Sequence, residues 1–397
     1  MKISVIVPIY HGKKYIQQIV KQIEAAAGEI ENEVELLLIN DDPQEALDMN
    51  LHSSSVEIRI FNTERNCGIH GARAKGLERS AGGLILFLDQ DDKIHPQYFK
   101  SQMEQLGSAD AVVCRLLDNH RLYYDKNLPL ESCIQKEYMA YKGNFIVSPG
   151  QALIRKSAIP DLWTSNILTH NGADDWFLWL CMLCEGKKLV ANNQVLFEHV
   201  LHRTNASGNS LSMLNSISEV YKVLKNSGYC TEEDLIGIQG IVKEHERRFI
   251  KERDKYFRMY VLMDSWLTMR EQGRRLSSHI KKQGYDRVSV YGKGRIGLRV
   301  ARELAEDGII VGCFITTYPE KDVCDGGIWT DKNGSLPEKD IRTITLEDVK
   351  AANEPVIITL IRDEAKEIKK ALEKKGVKQI YFIEDMLEKQ TDPEKGD

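Results

Sequence analysis

Several things are missing from this chain, and each absence narrows its class. No stretch approaches the roughly 18 uninterrupted apolar residues of a membrane-crossing helix. There is no basic excess: 54 Lys and Arg stand against 59 Asp and Glu, a net charge of −5, which argues against a general nucleic-acid binder. The short apolar start, Ile3 to Ile9, is broken by Pro8 and followed by no small-residue cleavage site, so it reads as a buried strand and not as a leader. No internal repeat is apparent. Cys181-Met-Leu-Cys184 has no second CxxC to complete a zinc site. The 8 cysteines are therefore expected as reduced thiols in a cytoplasm, the CxxC pair as core thiols. What remains is a 397-residue chain, 42% hydrophobic and 28% charged. It is long enough for two or three packed domains and excludes a disordered chain, a fibre or a disulfide scaffold.

The first 120 residues alternate strand and helix patterns. Continuous apolar runs at Ile3–Ile9 and Leu84–Leu88 predict strands buried on both faces, and Glu33–Asn40 (EVELLLIN) reads as the second strand. Val56–Phe61 alternates as a further strand, and Lys13–Ala27 and Gly68–Ser80 read as helices. This β-α-β-α order predicts a mostly parallel α/β sheet. In such sheets ligands bind beyond the carboxyl ends of the strands, where Asp41 and the run Asp89-Gln90-Asp91-Asp92 stand. Hard carboxylate oxygens in an Asp-x-Asp suit Mg²⁺ or Mn²⁺ shared with substrate phosphates, although a solvated acidic turn has the same composition.

The surrounding motifs are more specific. VIVPIYHGKKYI, LLINDDP and NCGIHGARAKGLERSAGGLILFLDQDD occur in this order over about the first 110 residues. They comprise a strand ending in Pro-x-Tyr, a strand ending in an Asn-Asp turn, an N-x-G-x-x-x-A-R-x-x-G-L helix and F-L-D-x-D-D. Together they resemble the donor-binding half of a family 2 glycosyltransferase with the GT-A fold. The resemblance implies that Pro8 and Tyr10 line a nucleobase pocket and that Asp41 accepts a hydrogen bond from the base, a uracil in most relatives. It places Asn66 and Gln90 among the donor-binding residues, Arg73 beside the nucleotide, Asp89 at the ribose or a metal-bound water, and Asp91 on the metal. Relatives often read Asp-Gly-Ser where this chain has Asp41-Asp42-Pro43, which leaves open which of the two carboxylates reaches the base.

Sugar transfer with inversion needs a base on the acceptor hydroxyl. Asp174 and Asp175 open an apolar helix, WFLWLCMLC. Acidic residues there are also ordinary helix-dipole partners, but the family carries an acidic pair before an aromatic-rich helix, with a carboxylate as base. That implies Asp175 as base and Asp174 as its alternative or as an acceptor-orienting group. Trp176 is a candidate stacking face for a sugar. The resemblance puts Gly150 and Gln151 close to the donor sugar, and His202 and Arg203 at the metal or diphosphate.

From about Leu211 to Gln283 the pattern turns helical and densely charged. Its basic residues Arg270, Arg274, Arg275, Lys281 and Lys282 suit either a solvated face or peripheral contact with anionic lipid. Beyond it, Gly292-Lys-Gly294-Arg-Ile-Gly297 follows a strand and precedes a helix, where glycines let backbone approach a phosphate. Phe314 to Thr317 stand where a ribose-binding acid is expected, which disfavours NAD. The expected organisation is a GT-A domain at 1–205, a helical bridge at 206–284 and a small Rossmann-like domain at 285–390. The expected activity is metal-dependent inverting transfer of a hexosyl or N-acetylhexosaminyl group from a UDP-sugar to a glycan or lipid-linked glycan, in bacterial surface-polysaccharide synthesis. The partners expected are donor, acceptor and a second copy of the chain, without nucleic acid. An NAD(P)-dependent sugar-modifying oxidoreductase and a non-catalytic nucleotide-sugar sensor are the alternatives.

Overall fold

A computed structural model describes residues 1–47, 51–125, 127–200, 209–318, 341–350 and 354–387. The chain divides into two compact units, Met1–Phe249 and Ile250–Asp397.

The first unit is built on a nine-stranded sheet. Its strands are β1 (Ile3–Ile9), β2 (Val34–Asn40), β3 (Val56–Asn62), β4 (Leu84–Phe87), β5 (Lys93–Ile94), β6 (Ala111–Asp118), β7 (Arg121–Leu122), β8 (Ala152–Arg155) and β9 (Leu189–His199). They run in the order β3-β2-β1-β4-β8-β6-β9-β5, with β7 paired to β6. Strands β3, β2, β1 and β4 are parallel, as the alternating pattern predicts. The remainder is mixed: β8 is antiparallel to both β4 and β6, and β5 to β9. The expected mostly parallel sheet thus holds for the donor half alone.

Register explains the apolar runs. Ile6 lies between Leu37 of β2 and Phe87 of β4, and all three are fully buried. Helix α1 (Ile16–Ala27) turns Ile16, Ile19, Val20, Ile23, Ala26 and Ala27 inward at helical spacing. Strand order reverses at β1: the chain adds β2 and β3 on one side and then returns to place β4 on the other. The crevice this opens lies beyond the carboxyl ends of β1 and β4, where Tyr10 and Asp89–Asp92 emerge.

Helix α2 (Gly68–Arg79) covers this part of the sheet, and Gly76 sets how closely it approaches. A Cβ on Gly76 would lie 2.3 Å from Ile6 Cγ2 and 3.2 Å from Ile39 Cγ1. Gly76→Ala is therefore expected to destabilise the first unit by about 1–3 kcal/mol through overpacking, against the gain in helix propensity. Urea unfolding monitored by circular dichroism checks this; an unchanged midpoint would show that the helix simply shifts outward.

Helices α3 (Tyr98–Leu106), α4 (Leu130–Cys133), α5 (Lys136–Lys142), α6 (Asp161–Ser165) and α7 (Asp174–Cys184) complete the layers. Of the segment expected as a bridge, α8 (Ser210–Ser227) and the start of α9 (Glu232–Glu271) add Ile217, Val220, Leu224, Ile238 and Val242 to the first core. The end of α9 and α10 (Leu276–Lys282) add Leu262, Trp266, Met269, Leu276 and Ile280 to a core of the second unit.

That second unit is a five-stranded parallel sheet in the order β12-β11-β10-β13-β14. Its strands are β10 (Arg287–Tyr291), β11 (Ile310–Thr316), β12 (Thr343–Thr345), β13 (Val356–Ile358) and β14 (Ile380–Phe382). Helices α11 (Arg295–Glu306), α12 (Arg362–Lys374) and α13 (Ile383–Leu387) accompany it. Among the described residues of the whole chain, no helix is long and apolar enough to cross a membrane.

Candidate active site

The rim of the crevice is held by backbone clamps. Pro8 is half-buried in β1 and Tyr10 projects as an exposed ring. Gln90 accepts from Tyr10 N at 3.1 Å and donates back to Tyr10 O at 3.1 Å. Its amide therefore ties the β1 end to the β4 end. His11, which sequence reasoning passed over, sits at φ 49° with its ring 4.0 Å from that of Tyr10 and its Nδ1 2.7 Å from Asp42 Oδ2.

The Asp-Asp turn after β2 is a support as well as a candidate base contact. Asp41 is buried, and its Oδ1 accepts from Thr63 Oγ1 at 3.1 Å, Cys67 N at 2.9 Å and Cys67 Sγ at 2.8 Å. Its Oδ2 accepts from Cys67 N at 3.1 Å. Burial, with Asp41 beside it, pushes the Cys67 thiol up to about 11. Asn66 donates to Asp41 O at 3.1 Å and accepts from Gly68 N at 3.1 Å, so its amide shapes the loop entering α2. Asp42 is buried too, accepting from Gln44 N at 3.0 Å.

At the centre lies Arg73, and the structure corrects its expected role. Only 2% of its surface is exposed. Its Nη1 donates to Asp174 Oδ2 at 2.6 Å and its Nη2 to Asp89 Oδ1. Burial lowers the guanidinium's pKa, but Asp174, Asp89 and Asp175 outweigh it and hold the charge firmly on. With both terminal nitrogens taken by carboxylates, Arg73 braces the end of β4 against the start of α7 and does not face an open diphosphate pocket.

Asp174 is buried while Asp175, one residue on, is half-exposed. Asp175 Oδ1 accepts from Trp176 N at 2.7 Å and Oδ2 from Asn144 Nδ2 at 2.9 Å. Crowding by protein atoms and the neighbouring Asp174 raise its pKa to about 7, against the lowering pull of Arg73. A carboxylate poised near neutrality suits a general base. The start of α7 is further fixed by Trp163, whose Nε1 donates to Asp174 O at 2.8 Å. Buried His70 bridges Trp163 O at 3.1 Å and Leu168 N at 3.0 Å. Neither residue carries a motif that would have singled it out.

Asp89 and Asp91 are half-buried at the end of β4 and present hard oxygens. Asp92 is buried, accepts from Val200 N at 3.2 Å and leaves Oδ2 without a partner. Burial, with Asp89 and Asp91 nearby, holds its pKa well above the usual carboxylate range. Among the described residues no three acidic, Cys or His side chains converge on a metal position. Asp89 and Asp91 offer hard carboxylate oxygens, the donor type of Mg²⁺ and Mn²⁺, ions that usually keep water and substrate phosphates in their shell. His202 and Arg203 lie outside the described residues.

Three expected sugar contacts prove to be core. Trp176 is buried with Nε1 donating to Met139 O at 3.2 Å, so it offers no open face. Gln151 is fully buried, donating to Cys114 O and Tyr124 OH, each at 2.9 Å, and accepting from Val147 N at 2.8 Å. A Cβ on buried Gly150 would lie 2.5 Å from the Phe197 ring. In each case neighbours that are distant in sequence close over the residue.

In the second unit the glycine loop links β10 to α11 as its motif predicts. Gly292 has φ 98°, Gly294 caps the helix, and a Cβ on Gly297 would lie 1.8 Å from Gly292 O. Arg275 and Lys281 of the expected basic face are bound to Asp307, at 3.0 Å to its side chain and 2.8 Å to its backbone oxygen.

The chain is similar to several known proteins. Residues 4–163 match glycosyl transferase family 2. That match lies wholly within the first unit. TuaG of Bacillus subtilis, assigned as a glycosyltransferase of teichuronic acid biosynthesis, is 24% identical over 56% of this chain and 88% of its own length. The undecaprenyl-phosphate 4-deoxy-4-formamido-L-arabinose transferase of Pseudomonas paraeruginosa is 26% identical over 30% of this chain. That match spans 36% of the Pseudomonas protein, and several further relatives are likewise matched over about a third of their length. Among solved structures, S. aureus TarS 1–349 in complex with UDP is 15% identical, with a TM-score of 0.41, over 57% of this chain and 66% of that one.

Proposed function

We propose that the chain is an inverting glycosyltransferase that moves a sugar from a UDP-sugar to a glycan or lipid-linked glycan, in the assembly of a bacterial surface polysaccharide. The observation that carries this reading is the convergence of two acidic pairs. Arg73 joins Asp89, at the end of β4, to Asp174, at the start of α7, across 101 residues of sequence between Arg73 and Asp174. The same bridge sets a donor-side Asp-x-Asp beside a carboxylate whose pKa lies near 7. The match of residues 4–163 to glycosyl transferase family 2 supports the donor class, and the similarity to TuaG supports the polysaccharide context.

In this reading Asp175 takes the proton of the acceptor hydroxyl. The hydroxyl oxygen bonds to the anomeric carbon from the face opposite the diphosphate, and the carbon–oxygen bond to UDP breaks. Tyr10 and the Asp41-Asp42 turn receive the uridine. Asp91, with Asp89, would hold Mg²⁺ or Mn²⁺, which supplies charge neutralisation for the leaving diphosphate when bound. The hexosyl or N-acetylhexosaminyl identity of the sugar belongs to this proposal, as does a role for the Gly292, Gly294 and Gly297 loop in binding a phosphate.

The test is slow donor hydrolysis, which needs no acceptor. Chelator-treated protein is given a panel of UDP-sugars with and without Mn²⁺ or Mg²⁺, and released UDP is measured. One UDP-sugar is expected to be hydrolysed only with metal, and Asp91→Ala to lower that rate by about tenfold or more. UDP binding without turnover would favour the sensor. Sugar-dependent reduction of NAD(P) would favour the oxidoreductase.

A further inference from the structure

Asp175 lies beyond residues 4–163, the part that matches the family, and its second carboxylate oxygen is held from a different element. Asn144 sits half-buried just after α5, in the segment leading to β8. Its amide is oriented unambiguously. Oδ1 accepts from Ile146 N at 3.0 Å, which leaves Nδ2 to donate to Asp175 Oδ2 at 2.9 Å. Because a carboxylate has no proton to give when ionised, a fixed N–H aimed at it favours the charged form over the neutral one.

We propose that Asn144 is the positioning residue of the base: it fixes the rotation of the Asp175 carboxylate and favours its ionised form over the neutral one. This rests on the reading of Asp175 as base. The reason such a residue is needed lies in the surroundings. The charges of Asp174 on its own helix and of Asp89 at the end of β4 both oppose its ionisation. Only Arg73, from α2, is a cation among these groups, and its two terminal nitrogens already serve Asp174 and Asp89. The two donors bonded directly to Asp175 are its own helix's Trp176 N–H, on Oδ1, and Asn144 Nδ2, on Oδ2. Trp176 N–H cannot be changed by side-chain substitution. Asn144 is the adjustable one, and it does not depend on donor-side residues.

The sign of the effect follows. A base works when deprotonated, so activity rises with pH through its pKa. Removing a donor to the ionised form raises that pKa. Asn144→Ala is therefore expected to move the acidic limb of the kcat/KM profile to higher pH by about one unit. It costs about tenfold in rate at pH 6.5, is largely repaired above pH 8.5, and leaves the KM for the UDP-sugar unchanged. Asn144→Asp presents a carboxylate in place of the donor and is expected to shift the limb further. Both variants are compared with wild type by circular dichroism melting, so that a loss of fold is read separately. A limb that stays in place, or a loss that is equal at every pH in the folded variants, overturns the inference. Asp175→Asn separates the two levels. If it retains wild-type turnover, the reading of the base fails. If it is inactive while Asn144→Ala keeps the wild-type limb, the role of Asn144 alone fails.

Discussion

Asp175→Asn is expected to lower kcat for sugar transfer by about 10²–10⁴-fold, the usual contribution of a general base. The helix start is preserved, because an asparagine oxygen can still accept from Trp176 N as Asp175 does, while the new amide N–H group gives up the bond from Asn144 Nδ2. The brace from Arg73 to Asp174 is untouched. Stability should move in the opposite direction to activity. The Asp175 pKa rises from an ordinary value near 3.8 to about 7 in the folded protein. Between those values the folded state binds more protons than the unfolded one, so this residue's contribution to stability falls as pH rises from about 4 to 7. The neutral variant escapes that loss. It should melt no lower than wild type at pH 8, and wild-type activity should show an acidic limb near pH 7. Paired kinetic and melting measurements decide it; an active variant, or one that melts much lower, would contradict the assignment.

Arg73→Met is expected to be the most damaging substitution for stability, at about 3–5 kcal/mol, the range for breaking a buried ion pair by removing one partner. Asp174 is buried and Asp89 half-buried, and both would face one another's field without a cation. Arg73→Lys should recover only part of this, since one ammonium cannot fork to two carboxylates lying on opposite sides. Adding Asp174→Asn to Arg73→Met should restore some stability by removing the stranded charge, and the double-mutant cycle measures the coupling. Equal urea midpoints for wild type and Arg73→Met would refute the brace.

Much of the donor half was legible in the residues. The apolar runs of β1 and β4 announce strands buried on both faces, and the acidic residues at the ends of β2 and β4 mark the crevice. The pair Asp174-Asp175 was legible through its place before an aromatic-rich helix. What misled was the exposure of single side chains. Trp176, Gly150 and Gln151 stand where sugar contacts were expected, but Met139, Phe197 and Tyr124 close over them. Gln90 lies inside the Asp-x-Asp loop, yet both ends of its amide turn back to Tyr10. Asn144 and Trp163 belong to no motif, and His70 stands at an unspecified position of the α2 motif.

By itself the sequence determined the class of fold, the family resemblance and which residue types stand at the strand and helix ends. These follow from periodicity and spacing, which act over a few residues. Tertiary structure alone decided what each group does: that Arg73 is a brace, that Asp174 is its partner while Asp175 remains available, and that Asn144 aims at the base. The physical reason is that burial, charge pairing and pKa depend on distances in space. Here the deciding contacts join residues 16 to 101 positions apart along the chain.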